Sequence, residues 1–290
     1  VAERTATVGI CQAGMTAQIQ IAHIHGRERT EGLIDEAIRH SITKLSHVHF
    51  TANEEYRKRV IQLGENPQFV FNYGAPSLDT IQTRKLFDKS ALFSEYGCSH
   101  LSANYLLLTY HPVTLLEDGG LNELRLVLSE LGKQNEFSII CTYPNADTFG
   151  RKIIAELERF VSANRDKSVL ISSLGQDKYF SMAEHSCAVI GNSSSGIIEI
   201  PSLGTPTINI GVRQRGRVSA KSVIDFNPGM DSLSAALQEI KSETFLREIS
   251  KQKNPYGNGT AAKRISNKII QLVGKIKLQK EFFDIKPASC

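Results

Sequence analysis

The chain has 290 residues, of which 41% are hydrophobic and 22% charged, and its formal net charge is +4. This composition excludes a disordered or fibrous chain and predicts a soluble globular protein, with a length that suggests two domains. No Lys/Arg block is long enough for a nucleic-acid footprint, and no apolar run approaches the roughly 20 residues of a membrane span. The five cysteines are Cys11, Cys98, Cys141, Cys187 and Cys290, an odd number with no CxxC pair. They argue against a disulfide framework or a zinc knuckle and point to a reducing cytoplasm. The opening "VAERTATVG" has neither a basic region nor an apolar core, so it is no signal peptide. It also lacks an initiator Met, and the expectation is a fragment or a processed chain.

The predicted elements alternate between strand and helix. "IQIAHI" (19–24) reads as a strand. In 32–46, Leu33, Ile34, Ala37, Ile38, Ile42 and Leu45 share one helical face. "HVHFTA" (47–52) is a strand, and 53–64 is a helix capped by Asn53 and stopped by Gly64. "QFVFNYG" (68–74) is a strand. A second series opens with the strand "NYLLLTYHP" (104–112) and a helix from about Leu121. Strands "FSIICTYP", "SVLISS" and "CAVIGNS" follow, interleaved with helices at 148–164 and 177–186. The tail 259–278 is a final amphipathic helix.

Such alternation predicts parallel sheets covered by helices on both faces. The rhythm breaks at 86–104, where no long apolar period runs. The expected organisation is therefore two open α/β domains, the first at 1–90 and the second at 91–260, followed by a tail at 261–290. Ligands in such sheets sit at the carboxyl ends of the strands, in a cleft.

Three motifs fall at such ends. "HIHGRERTEGLID" carries His23, His25, Glu28, Glu31 and Asp35. Its carboxylates complement a helix dipole or serve as acid–base groups, and the pattern leaves both open. His23 and His25, two apart on a strand, would share one face, but no further ligand set supports a metal. His47 and His49 read as strand filler. In "LLLTYHPVT", Pro112 keeps His111 out of the helical region, so the strand ends on this imidazole at the cleft rim. In "GNSSSGIIEIPSLGTP", serine hydroxyls and unpaired amides at a helix start make an anion site, and Glu199 stands where a ribose diol could bind. An ordinary Ser cap with an exposed Glu is the alternative. GxSxG, Walker A and GxGxxG are all missing. Downstream, Arg213, Arg215 and Arg217 suit anionic contacts.

Taken together, "HIHGRERTEGLIDEAIRHSITKLSHVHF", "EEYRKRVIQLGE", "GAPSLD", "TYHPVT", "YPNAD" and "GNSSSGIIEIPSLGTPTINIGVRQRGR" resemble the hydrolysing UDP-N-acetylglucosamine 2-epimerases of sialic acid and related nonulosonate synthesis. The resemblance implies two Rossmann-like domains of the glycosyltransferase-B type, the first of them only partial here, with the tail at 261–290 crossing back to it. It implies conversion of UDP-N-acetylglucosamine and water to N-acetylmannosamine and UDP, without cofactor or metal, in a homodimer or homotetramer. It assigns Ser193 and Ser194 to the diphosphate, Glu199 to the ribose and Arg213 to the nucleotide side. His111 becomes the active-site His. Glu28 and Asp35 become acid–base carboxylates, with His25 and Asn145 as substrate contacts. Glu3 falls where the family has the Asp of Gly-Asp-Arg, and Arg27 where it has the second Gly of Gly-Gly-Glu. The family's first strand–helix units, about 90 residues by the size of an ordinary α/β domain, have no counterpart. An open strand edge, and marginal stability or pairing with another chain, are therefore expected. The resemblance also admits a UDP-linked 2,4-diacetamido trideoxy sugar or a GDP-sugar as substrate. A glycosyltransferase on the same fold and a non-catalytic UDP-sugar binder are the rival functions.

Overall fold

The structure is a computed structural model that describes residues 2–26, 28 and 35–285, and the side chains of all of these except 2–5. The described residues form two compact units. One takes the chain up to Gln82 and resumes at Pro255; the other runs from Thr83 to Asn254.

The first unit contains α1 (Ala2–Thr16), β1 (Ala22–Ile24), α2 (Asp35–Leu45), β2 (Val48–Thr51), α3 (Glu54–Gln62), β3 (Val70–Asn72) and α4 (Ser77–Thr83). The three strands lie parallel in the order β1-β2-β3. Among the described residues β1 pairs only with β2, and Ile24 on it is 44% exposed. No helix is predicted where α1 forms. Its apolar residues are scattered, Ile10 and Met15 face outward, and only packing along α2 and the burial of Cys11 give it an inner face. Asn53 caps α3 by accepting the Tyr56 N–H at 2.9 Å, and Gly64, at φ +82°, ends it, both as the pattern predicts.

The second unit contains α5 (Lys89–Glu95), β4 (Tyr105–Thr109), α6 (Leu121–Lys133), β5 (Ser138–Thr142), α7 (Gly150–Ala163), β6 (Ser168–Ile171), α8 (Gly175–Glu184), β7 (Ala188–Gly191), α9 (Ser195–Ile198), β8 (Thr207–Ile210), β9 (Val223–Phe226), α10 (Leu233–Glu239) and α11 (Glu243–Ser250). Its six strands are all parallel, in the order β6-β5-β4-β7-β8-β9. This is the doubly wound Rossmann-like arrangement, with its topological switch between β4 and β7. β4, β5, β7 and β8 are buried along their whole lengths, which explains their unbroken apolar runs. The sequence places a boundary near 90, whereas the packing divides at 82/83. The reason is α5: Asp88 caps it, and its buried Leu92 and Phe93 face the second unit's α8.

The chain then returns to the first unit as α12 (Ala261–Leu272). Ala261 and Ile265 pack on Val48 and Phe50 of β2. Asp79 accepts the first α12 amides, from Ala261 at 2.9 Å and Ala262 at 3.0 Å. Burial of Ile265 contributes about 1.5–3 kcal/mol. No helix among the described residues is long and apolar enough to cross a membrane.

Candidate functional site

The switch point of the second unit brings two strand ends together. β4 runs out into Tyr110, His111 and Pro112; β7 runs out into Asn192 and the serines. Gly191 ends β7 at φ +143°, and a Cβ there would collide with the Thr109 carbonyl of β4, so only glycine allows the strands this approach. Asn192 follows, fully buried. Its side chain acts as a peptide mimic: Oδ1 accepts the His111 N–H at 2.6 Å and Nδ2 donates to the His111 carbonyl at 2.8 Å. Its own carbonyl accepts Arg213 Nη1 at 3.0 Å and Gln214 Nε2 at 2.8 Å. Arg213, also buried, donates through Nε to the Pro112 carbonyl at 3.2 Å. These bonds fix the backbone on either side of His111.

The imidazole itself is oriented by a backbone amide, since Asn145 N–H donates to His111 Nδ1 at 3.0 Å. In the neutral ring the hydrogen therefore sits on Nε2. Burial, and secondarily the Arg213 guanidinium, lower this imidazole from its ordinary value to about 3, against the pull of Asp147. His111 is thus a neutral donor at physiological pH. The Asn145 side chain turns away to donate to Asp147 at 2.7 Å.

A pocket of about 520 Å³ opens beside this ring. His111, Asn145, Thr109, Tyr179, Ser193, Ser195 and Glu199 all line it. Its size suits a nucleotide-scale ligand. Ser194 is not in its wall; it stands at the N-cap of α9 and uses its carbonyl to start the helix. Ser193 Oγ accepts the Ser195 N–H at 3.3 Å. Tyr179 Oη lies beside the Ser195 and Thr109 hydroxyls, and neither it nor Ser195 Oγ closes a hydrogen bond of ordinary geometry. Burial pushes the Tyr179 phenol up to about 12, and the nearby Glu199 carboxylate pushes the same way. Asn192 and Tyr179 escape the sequence reading. The signals were present: an Asn directly after the strand's final Gly, and an aromatic one turn into the helix that Gly175 opens.

In the first unit, β1 ends at Ile24 and His25 leaves it at φ +64°. Strand alternation stops there, so His25 does not share the face of His23 as the spacing predicts. His25 Nδ1 lies 3.5 Å from Glu28 Oε1, with Glu28 only 4% exposed. Arg39 donates to the Glu28 carbonyl at 3.1 Å. Asp35 is equally buried at the start of α2. Beneath this turn the His23 ring packs so closely on Gly26 that a Cβ there would sit 2.9 Å from Nδ1. Thr43 donates its hydroxyl to the Arg39 carbonyl, so it accepts from His23 Nδ1 at 3.2 Å. Burial first, then neighbouring His49, lowers His23 to about 3. His49 is not strand filler: its Nε2 donates to buried Glu65 at 2.9 Å, and His47 bridges Ile21 N–H and the Leu278 carbonyl. The Glu3 side chain, Arg27 and Glu31 lie outside the described residues. Among the described residues no three potential metal ligands converge.

The chain is similar to known proteins. A polysialic acid biosynthesis protein of Escherichia coli is 38% identical over 287 residues, covering 98% of this chain and 72% of that protein. A GDP/UDP-N,N'-diacetylbacillosamine 2-epimerase (hydrolyzing) of Campylobacter jejuni is 37% identical over 243 residues, covering 84% of this chain and 62% of the relative, so this chain spans less than two thirds of that protein. Among solved structures, the Neisseria meningitidis UDP-N-acetylglucosamine 2-epimerase bound to its UDP-sugar superposes with a TM-score of 0.76 at 20% identity, over 92% of this chain and 74% of that one. That likeness fixes the fold. A family model described as UDP-N-acetylglucosamine 2-epimerase matches residues 2–270, and the chain belongs to that family.

Proposed function

We propose that this chain carries the nucleotide site and acid–base groups of a hydrolysing 2-epimerase that converts UDP-N-acetylglucosamine and water to N-acetylmannosamine and UDP. The observation that carries this reading is the pocket at the switch point, where the neutral His111 ring shares a wall with Ser193, Ser195 and Glu199. The Ser193 hydroxyl, with the amides of Ser193 and Ser194 that precede the first helical hydrogen bond, holds the diphosphate. Glu199 accepts from the ribose diol. Arg213 acts from behind, holding His111 and Asn192 in place.

The C2–H of the sugar is not flanked by a carbonyl, so direct abstraction is hard. When the C1–O bond breaks and UDP leaves with its electron pair, oxocarbenium character at C1 acidifies C2–H. Removal of that proton gives a glycal. Water then adds its oxygen to C1, and a proton returns to the other face of C2. His111, donating from Nε2, stabilises charge developing on the leaving oxygens without itself being a cation. Glu28, Asp35 and Glu3 are the candidates for the proton transfers, with His25 as a sugar contact and Asn145 holding the His111 ring.

Turnover in D₂O tests the reading. N-acetylmannosamine should carry one deuterium at C2 while UDP accumulates; UDP release without label at C2 would overturn the epimerising route. UDP bound without any turnover would favour a non-catalytic binder, and release that requires an acceptor would favour a glycosyltransferase. The Campylobacter relative supports a second substrate, a UDP-linked diacetamido sugar; a panel of nucleotide sugars separates the two. We place the protein in the cytoplasm as a homodimer or homotetramer, which light scattering of the purified chain checks.

A further inference from the structure

The C-terminal segment beyond α12 is tied into the first unit by ions and backbone bonds. Gln20 Nε2 donates to the Ile276 carbonyl at 2.5 Å and His47 Nε2 to the Leu278 carbonyl at 3.2 Å. Phe283 N–H donates to the Gly64 carbonyl at 2.9 Å. The Phe282 ring covers Gly64, where any Cβ would collide with it, and Lys44 Nζ stands 5.2 Å from the ring centre. At the middle of the segment Lys280 points inward. Its ammonium donates to the carbonyls of Lys44 at 2.9 Å and Ser46 at 2.5 Å, closing the C-terminal end of α2, and meets Glu65 Oε2 at 2.8 Å.

Glu65 is 2% exposed and also accepts from Lys44 at 2.7 Å and from His49 at 2.9 Å. His49 lies directly across the sheet from His23, with ring centres 6.4 Å apart and edge to face. His23 in turn supports Gly26 and bonds Thr43. Two routes therefore run from Lys280 to the candidate acid–base groups. One passes through Glu65, His49 and His23 to the turn of His25 and Glu28. The other passes along α2, with Lys280 at one end and Asp35 at the other. Burying the Glu65 carboxylate is a costly way merely to hold a tail, since apolar packing does that without desolvation. A buried carboxylate held by three donors, His49, Lys44 and Lys280, instead fixes orientation.

We propose that Lys280 is a positioning residue, and that the tail it sits on sets the geometry of His25 and Glu28 through Glu65 and of Asp35 through α2. What those three groups do rests on the epimerase reading; their placement by Lys280 does not. The test compares Lys280→Met, Lys280→Arg and Glu65→Gln in the full chain. Histidine-labelled NMR reads the His23, His25 and His49 rings, and kinetics separates turnover from UDP affinity. Lys280→Met should shift the His23 and His25 resonances and lower kcat about tenfold, as small misplacements do. UDP affinity should stay within about twofold, because the nucleotide pocket is in the second unit. Lys280→Arg should restore both. A lower melting temperature with unmoved His23 and His25 signals and unchanged kcat would overturn the proposal. If Lys280→Met fails to fold, Glu65→Gln is read in the same way. If the unmutated chain turns over no nucleotide sugar, the functional reading fails and the NMR arm alone decides the positioning.

Discussion

The two units hold their candidate residues by different physics. In the second, backbone geometry does the holding. Two central strands of a six-stranded parallel sheet end side by side, Gly191 lets them touch, and Asn192 pairs with both backbone groups of His111. In the first, the described residues form three strands, and the turn of His25 and Glu28 rests on buried imidazoles and an ion cluster around Glu65. A site built on backbone should be the more sensitive to steric insult. One built on titratable groups should be the more sensitive to mild acid.

The largest expected effect is steric. Gly191→Ala puts a Cβ against the Thr109 carbonyl at a backbone angle that L residues avoid. The second unit should lose about 3 kcal/mol or more, with UDP binding lost alongside. Urea unfolding of the variant measures this, and a loss below about 1 kcal/mol would show that the strands can separate at little cost. Next comes His111→Asn, which keeps the bulk near the strand end and removes the oriented ring. It should lower kcat about a hundredfold while UDP affinity changes less than about threefold. Equal losses in both would make His111 a binding group.

Acid tests the other side of the comparison. His23 is held at about 3, and His47 and His49 are lowered in the same direction, each chiefly by burial. The unfolded chain takes up protons as pH falls through about 6.5, while the folded chain refuses them, so stability falls with falling pH. For His23 alone the loss is about 2 kcal/mol at pH 5. Glu65 acts in the same direction lower down. Burial would raise it, but hydrogen bonds from His49, Lys280 and Lys44 hold it at about 2, and their contribution is lost as pH falls from its ordinary 4.5 through that value. The second unit faces this penalty at His111, against three such histidines and Glu65 in the first. Amide exchange between pH 7 and 4 should therefore show β2 losing protection before β4. Simultaneous loss would mean that the two units unfold as one.

How much of this was legible in the sequence follows the same division. Parallel strands buried on both faces leave continuous apolar runs, so β4, β5 and β7 were readable, and their carboxyl ends located His111 and the serines. Helix α1 was not, because its burial comes from α2 rather than from a regular apolar stripe of its own. The Glu65 cluster was illegible for a different reason. Its members lie at 44, 49, 65 and 280, and no local pattern signals that a lysine near the C-terminus closes α2. Asn192 was visible as a residue but not as a role, since its partner is 81 positions away.

The smallest effect is also the sharpest test of the nucleotide wall. The family resemblance assigns Ser193 and Ser194 together to the diphosphate, yet only Ser193 faces the pocket. Ser194 occupies the cap of α9 without a side-chain capping bond, so its hydroxyl contributes little to the helix either. If the diphosphate meets the Ser193 hydroxyl and only the amide of Ser194, Ser193→Ala should weaken UDP binding about tenfold, the worth of one charge-assisted hydrogen bond. Ser194→Ala should change it less than about twofold, because alanine keeps the amide. Calorimetry on both variants decides. Equal weakening would mean that both hydroxyls reach the diphosphate, and that α9 turns on binding to bring Ser194 into the wall.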